Sequence, residues 1–214
     1  MSIKHGKWLI VLFVAVLGAC SPQGAEYIEE LDLVYTNYAD TYDFASKKTY
    51  SIPDSVIKIT GDHFENPGNG RPAMVSAIYG DVIIAEIKKG MTNYGWTLVP
   101  KTSNPDVILL PSATTTTNIY YYYDWGYWGW YWPGYYPGWG WYYPGYYPPV
   151  VTGYRSGSVF VQMVDGKTRQ AGENATVSWS AIFNGLAEGD TQSILARIAT
   201  AINQAFAQSP YLKK

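Results

Sequence analysis

The stretch "SGSVFVQMVDGKTRQAGENATVSWSAIFNG", from Ser156 to Gly185, decides the fold of this chain. Its two halves carry apolar residues with a period of two: Val159, Val161 and Met163 in the first, and Val177, Trp179 and Ala181 in the second. This period is typical of a β-strand with one face on a core. The polar segment "GKTRQAGE" between them has the glycines of a turn. The stretch therefore predicts a β-hairpin, with the three apolar residues of each half on one face.

Two other segments have the apolar spacing of amphipathic helices. From Gly189 to Lys214 the apolar positions repeat every four residues: Ile194, Ile198, Ile202 and Phe206. Asp190 or Thr191 can cap the start of this helix. From Ser76 to Tyr94 a second set has helical spacing: Ile84, Ile87, Met91 and Tyr94. Gly95 follows, where a glycine that ends a helix is expected.

Shorter runs before the hairpin predict further strands. Leu31, Leu33 and Tyr35 alternate with polar residues, which predicts a half-buried strand. The segment from Lys48 to Ile52, "WTLVP" and the β-branched "DVILLPSATTTTNIYYYY" predict three more. Strands and helices in this order predict an α+β fold, in which a mostly antiparallel β-sheet carries two helices packed on one face.

A long insertion rich in Tyr, Trp, Gly and Pro interrupts this pattern at residues 119–150. Within it, "YYYYDWGYWGWYWPGYYPGWGWYYPGYYPP" has Asp124 as its only charged residue. Proline and glycine interrupt regular elements, and the periodic segments lie outside the insertion. The sequence therefore predicts a domain that folds without it. The candidate binding residues of the insertion are Trp125, Trp128, Trp130, Trp132, Trp139, Trp141, Tyr135, Tyr136, Tyr146 and Tyr147.

These aromatic residues suit a contact surface, and four alternatives stay open for what that surface contacts. The rings could stack on glycans, with the tyrosine hydroxyls supplying hydrogen bonds. They could lie at the level of the lipid headgroups, where Trp and Tyr are favoured. They could join copies of the chain on one membrane, where confinement raises the effective concentration. They could instead fold back and cover a sheet face, because an exposed aromatic surface of this size promotes association.

The N-terminus has the features of an export signal. Lys4 and Lys7 precede an apolar run from Trp8 to Leu17, which is too short to cross a bilayer. The run leads into "LGAC", which resembles the bacterial lipobox, so Cys20 is the predicted lipid attachment residue. Several acyl chains, palmitate among them, would then hold the protein to the membrane.

The predicted organisation is a signal peptide at 1–19, a polar tether at 20–31 and a single α+β domain at 32–214. By resemblance to bacterial lipoproteins, Ser21 next to the predicted lipid attachment residue implies the outer membrane, with the domain facing the periplasm. The formal net charge is −2 and the chain has no basic run, which argues against nucleic acid as a partner.

Several motifs in one order carry a family resemblance. After the lipobox come "NYADTYDFASKKTYS", "YGWTLVPKTSNPDVIL", the aromatic insertion, "SGSVFVQMVD", "VSWSAIFNG" and the closing helix. In this order they resemble the domain-of-unknown-function 4136 family of bacterial lipoproteins, over nearly all of the chain after the signal. The resemblance implies an α+β domain on a lipid anchor and implies no known activity. The insertion is longer and richer in tryptophan than that family leads us to expect.

The polar residues offer little for catalysis. His63 lies with Asp62 and Glu65 in "GDHFENPGNGRP", which is typical of an exposed loop, and Asp40 and Asp43 have the spacing of turn residues. We therefore expect a non-catalytic binding or assembly module of the cell envelope, without cofactor or metal. The alternative is a hydrolase or transferase of an envelope glycan that uses these four carboxylates.

Overall fold

The computed structural model describes residues 33–59, 72–114, 128, 131, 141–145, 157–167, 174–186 and 189–214. All of the described secondary structure falls within one compact unit, Asp32–Lys214. The predicted signal peptide, Cys20 and the tether lie outside the described residues, as does most of the aromatic insertion.

The described elements are eight strands, two α-helices and two 3-10 turns. The strands are β1 (Leu33–Tyr38), β2 (Thr49–Ser51), β3 (Ile57–Ile59), β4 (Thr97–Leu98), β5 (Val107–Thr114), β6 (Trp141–Tyr142), β7 (Ser158–Asp165) and β8 (Ala175–Asn184). The helices are α1 (Ala77–Asn93) and α2 (Thr191–Ala207), and the 3-10 turns are Lys101–Ser103 and Pro210–Leu212. The sequence predicted the two helices and the longer strands but missed the short β3 and β6.

The strands form one sheet in the order β1-β8-β7-β5-β2-β4. The long pairings β1–β8, β7–β8 and β5–β7 are antiparallel. The short strands β2 and β3 run parallel to β5, and β6 runs parallel to β8. Because α1 lies between β3 and β5 in the chain, it provides the crossover that parallel neighbours require. The predicted α+β fold is confirmed, with a mixed sheet whose long strand pairs are antiparallel.

Both helices pack on one face of this sheet, which we call the helix-side face. The sheet contributes Val107, Leu109, Val159, Val161, Met163, Trp179, Ala181 and Phe183 to this core. The helices contribute Ile83, Ile84, Ile87, Met91, Ile198, Ala201, Ile202, Ala205 and Phe206. Asp190 caps α2 by accepting hydrogen bonds from the backbone N–H groups of Gln192 and Ser193. Gly95 ends α1 with a φ of 86°, which glycine adopts without strain.

One irregularity in the hairpin overturns part of the predicted alternation. Met163 pairs with Trp179, but the next pair joins Val164 to Val177, so that Ser178 is an extra residue in β8. The Ser178 hydroxyl donates a hydrogen bond to the Met163 carbonyl across the irregularity, at 3.1 Å. An extra residue in a strand moves the side chains that precede it to the opposite faces of the sheet. Val177 therefore lies on the face opposite Trp179. The prediction that Val177, Trp179 and Ala181 share one face was wrong for Val177.

A second correction concerns the first strand. The sequence predicted that Leu33 and Tyr35 face the core, but they are 61% and 43% exposed. Val34 packs against the helix-side core instead. β1 is an edge strand that pairs only with β8 among the described residues, and alternation in such a strand does not show which of its two faces is covered.

Two glycines of α1 make a matched test of how α1 and α2 pack. A Cβ atom at Gly90 would lie 2.2 Å from the Phe206 ring, whereas one at Gly80 meets nothing closer than 3.7 Å. Gly90→Ala should lower the free energy of unfolding by about 1–3 kcal/mol through overpacking. Gly80→Ala should raise it by about 0.5–1 kcal/mol, because alanine favours a helix. Urea unfolding at 25 °C measures both, and equal stability of the two variants would contradict this helix contact.

Candidate functional site

The sheet face opposite the helices, which we call the aromatic-side face, mixes apolar and polar side chains. Its buried apolar residues are Ile57, Ile59, Ile108, Leu110, Val164, Ala175 and Val177. The strand register places four buried polar residues on the same face, each opposite one of these apolar residues: Ser51, Ser112, Thr114 and Gln162. Buried hydroxyl and amide groups cost free energy unless they are hydrogen-bonded. This face therefore needs a cover that supplies both apolar area and hydrogen-bonding atoms.

Residues of the aromatic insertion cover part of this face. Trp128 and Tyr131 are only 3% and 8% exposed and belong to the same buried cluster as the sheet residues. Trp141 and Tyr143, together with Met74, are partly buried against that cluster. The described part of the insertion is thus a layer on the sheet, as in the fold-back alternative.

Two tyrosines of this layer also make hydrogen bonds to two of the buried polar side chains of the sheet. The Tyr131 hydroxyl lies 3.0 Å from the Ser51 hydroxyl, and the Gln162 side-chain amide donates to the Tyr143 hydroxyl at 2.8 Å. Burial raises the pKa of Tyr131, so its phenol stays protonated at neutral pH. Tyrosine suits this position because a ring with a polar tip provides apolar contact and a hydrogen bond together.

The short strand β6 places its two aromatic residues on opposite faces. It pairs with β8 through Trp141 opposite Ala175 and Tyr142 opposite Thr176. Successive residues of a strand point to opposite faces. Accordingly, Trp141 packs towards the sheet, whereas Tyr142 is 54% exposed. Tyr142 is thus an exposed ring beside the buried rings of the layer, and its pairing with Thr176 places it on the other face of β8 from Trp141 and Ala175.

The predicted binding residues divide between described and undescribed positions. Trp128 and Trp141 both contact the aromatic-side cluster of the protein's own sheet. The remaining eight lie outside the described residues: Trp125, Trp130, Trp132, Trp139, Tyr135, Tyr136, Tyr146 and Tyr147. The sequence did not single out Tyr131, Tyr142 or Tyr143, because nothing in a low-complexity segment distinguishes an inward ring from an outward one.

A second polar cluster, centred on Asp165, lies where the β1–β2 connection meets the end of β7. The Asp165 carboxylate accepts hydrogen bonds from the Tyr42 hydroxyl at 2.8 Å and the Lys167 backbone N–H at 2.7 Å, and it pairs with Lys47 at 3.2 Å. Burial alone would raise the pKa of Asp165, but these donors together hold it below its ordinary value. Burial and the adjacent carboxylate raise the pKa of Tyr42 well above its usual range.

Asp106 makes a similar set of contacts at the start of β5. It accepts hydrogen bonds from the backbone N–H groups of Lys48 and Thr49 and from the Thr49 hydroxyl, all at 2.9 Å. Burial opposes ionisation, yet these donors and the nearby Lys167 lower the pKa of Asp106 to about 2. Every partner is at least 57 residues away in sequence, so no local motif could reveal the cluster.

These carboxylates stabilise the fold and are poorly suited to acid–base chemistry. A general acid or base at neutral pH needs a pKa near 7, whereas both carboxylates stay ionised and Tyr42 stays neutral. Among the predicted catalytic candidates, Asp40 and Asp43 are exposed, and Asp43 accepts a hydrogen bond from the Ser46 backbone N–H in a turn. Asp62, His63 and Glu65 lie outside the described residues. Within the described ranges no three His, Cys, Asp or Glu side chains are close enough to hold a metal ion.

Comparison with known proteins assigns this arrangement to a family. The family model described as "Domain of unknown function (DUF4136)" matches residues 34–211, which span every element from β1 to the last turn. The chain belongs to the DUF4136 family. This membership confirms the resemblance inferred from the motifs.

A solved structure supports the DUF4136 assignment. It is the crystal structure of a DUF4136 family protein from Bacteroides thetaiotaomicron VPI-5482, which is 29% identical to this chain, with a TM-score of 0.66. The match covers 85% of this chain and 97% of that one. A PDZ domain protein from Parabacteroides distasonis ATCC 8503 is 13% identical over 81% of this chain and 36% of its own, with a TM-score of 0.38, too low to indicate a shared fold. No curated protein matches the sequence.

The described part of this DUF4136 domain contains no helix with the length and apolar character needed to cross a membrane.

The hydroxyl of Tyr131 should contribute measurably to the stability of the domain. Tyr131→Phe leaves the Ser51 hydroxyl without this partner and should lower the free energy of unfolding by about 0.5–1.5 kcal/mol. Tyr142→Phe is the matched control, because its ring is exposed, and it should change stability by less than about 0.5 kcal/mol. Chemical unfolding compares them. Two equal effects would contradict the inward placement of Tyr131.

The ionised carboxylates predict a loss of stability in acid. A carboxylate whose pKa is lower in the folded than in the unfolded chain stabilises the fold above the unfolded value, and this contribution disappears as the pH falls through the folded value. For Asp106 the decline should run from about pH 5 towards pH 2. Asp106→Asn should lower the unfolding midpoint at pH 7 and flatten its decline in acid. Asp81→Asn, on an exposed position of α1, is the control, and an equally steep decline in both variants would contradict the role of Asp106.

Proposed function

We propose that this DUF4136 protein is a lipid-anchored, non-catalytic module of the bacterial cell envelope that binds a partner or assembles with copies of itself through its aromatic insertion. Acyl chains on Cys20 would hold it to the membrane, with the domain facing the periplasm from the outer membrane. The lipobox sequence supports the anchor.

The observation that carries the binding role is an exposed aromatic ring that adjoins a buried aromatic layer. Trp128 and Tyr131 are buried on the sheet, while Tyr142 is 54% exposed on the adjoining strand. Rings held in this way lose little conformational freedom on binding, which favours association. Tyr142 is therefore the described ring of the insertion that a partner can reach, and the rings at 119–150 beyond the described residues are candidates to extend this contact surface.

A non-catalytic role agrees with how the described carboxylates are used. Asp106 and Asp165 are each held by several donors that tie the β1–β2 connection to β5 and β7. The alternative of a glycan hydrolase or transferase would have to depend on Asp40, Asp43, Asp62 and Glu65, of which the two described residues, Asp40 and Asp43, are exposed.

The membrane anchor is tested by Cys20→Ala. Without its thiol the chain cannot accept a diacylglycerol, so the variant should be recovered as a soluble protein or as an uncleaved precursor. Cell fractionation and the mass of the N-terminal fragment distinguish these forms. A variant that is cleaved and still pellets with the membranes would show that another part of the chain, such as the aromatic rings, provides the attachment.

The contact surface is tested by Tyr142→Ala, with Ile78→Ala as a control because Ile78 is equally exposed on α1. Tryptophan fluorescence of the protein should be followed during titration with glycan fragments, with neutral lipid vesicles and with increasing protein concentration. One of these titrations should saturate, and Tyr142→Ala should weaken it by about tenfold, as expected for one stacked ring. If none changes the spectrum, the binding role is wrong. If Tyr142→Ala binds like Ile78→Ala, the surface lies elsewhere.

A further inference from the structure

A cavity of about 500 Å³ opens on the helix-side face, at the end of the sheet where α1 and α2 begin. Ligand-binding cavities in proteins fall between about 300 and 1,000 Å³ and are mainly apolar with a few polar groups. This cavity has that composition. Its apolar walls include Tyr79 and Ile83 of α1, Ile194 and Ile198 of α2, Val159 of β7, and Leu186.

The polar groups of the cavity give it a positive character. Lys58 of β3 is the only charged side chain among the described residues that line it, and no carboxylate in the described part of the chain pairs with its ammonium group. Ser76, which precedes α1, also lines the cavity. Its side chain does not cap the helix, and the first turn of α1 has no acidic residue. The positive end of the helix dipole therefore adds to the charge of Lys58.

We propose that this cavity binds a single-chain anionic amphiphile, such as a fatty acid, with the hydrocarbon chain between α1 and α2 and the acidic head at Lys58. The apolar walls would bury the hydrocarbon chain of the ligand, which has no hydrogen-bonding groups. Lys58 and the start of α1 would supply the charge-assisted hydrogen bonds that favour a carboxylate over a neutral head. Most of the residues that line the site lie on the helix-side face, and Met74 lines it as well as packing against the aromatic-side cluster.

The test uses dodecanoate and 1-dodecanol as probes, at concentrations below micelle formation. Residues 21–214 suffice, because the described core lies within residues 33–214 and the related crystal structure consists almost wholly of the matched domain. Isothermal titration should show one dodecanoate bound per chain and weaker binding of dodecanol. Lys58→Met should weaken dodecanoate binding by about tenfold and leave dodecanol unchanged. Lys48→Met, an exposed lysine near the opposite end of the sheet, should change neither.

Ile194→Trp should fill the cavity and abolish binding of both probes. A cooperative thermal transition establishes that this variant is folded. Independently of the variant, NMR contacts between the dodecanoate chain and the methyl groups of Val159 or Ile198 locate the ligand in the wild-type protein. Absence of dodecanoate binding would overturn the proposal. So would binding that persists in the folded Ile194→Trp variant, contacts at other methyl groups, or equal affinities of Lys58→Met and Lys48→Met.

Discussion

The fold depends on covering the aromatic-side face of the sheet, which is too apolar to be exposed to solvent but also carries polar side chains that need hydrogen bonds. The helix-side face is covered by two amphipathic helices and is mainly apolar, with the Trp179 indole N–H donating to the Ser209 hydroxyl. The aromatic-side face buries Ser51 and Gln162 among isoleucine, leucine and valine side chains. Aliphatic residues could cover the apolar part but would leave the hydroxyl and the amide without partners. Tyr131 and Tyr143 satisfy both requirements, since each brings a ring and a hydroxyl.

This constraint explains why an aromatic segment belongs in the domain and why it can still act outwardly. Successive residues of a strand point to opposite faces, so a strand such as β6 that packs one residue against the aromatic-side cluster presents the next residue to the opposite face. Trp141 and Tyr143 therefore pack inward while Tyr142 remains exposed. The surface that we propose for partner binding is thus a consequence of the same packing that stabilises the sheet. On the other face, residues of α1, α2 and the sheet line the cavity at Lys58.

Periodicity in the sequence was enough to predict the helices and the β7–β8 hairpin, and the order of the quoted motifs was enough to predict the family. It worked for α2 because Ile198, Ile202 and Phe206 bury one continuous face. It failed at Val177, because the extra residue at Ser178 leaves no local signal, and at Leu33 and Tyr35, because an edge strand alternates in the same way whichever side is covered. The cluster around Asp165 joins residues more than a hundred positions apart, and the composition of residues 119–150 has no period. The sequence therefore predicted a dispensable insertion, whereas two of its residues, Trp128 and Tyr131, belong to the core.

The most direct measurement is the unfolding of a variant in which residues 119–150 are replaced by a short Asn-Gly turn. If the aromatic layer covers the sheet, this variant should lose its cooperative thermal transition or unfold at a much lower temperature. Hydrogen exchange should then be fastest in β5, β7 and β8, whose residues Ile108, Val164 and Val177 lose their cover. A variant that keeps the wild-type transition and the wild-type protection of these strands would contradict the account.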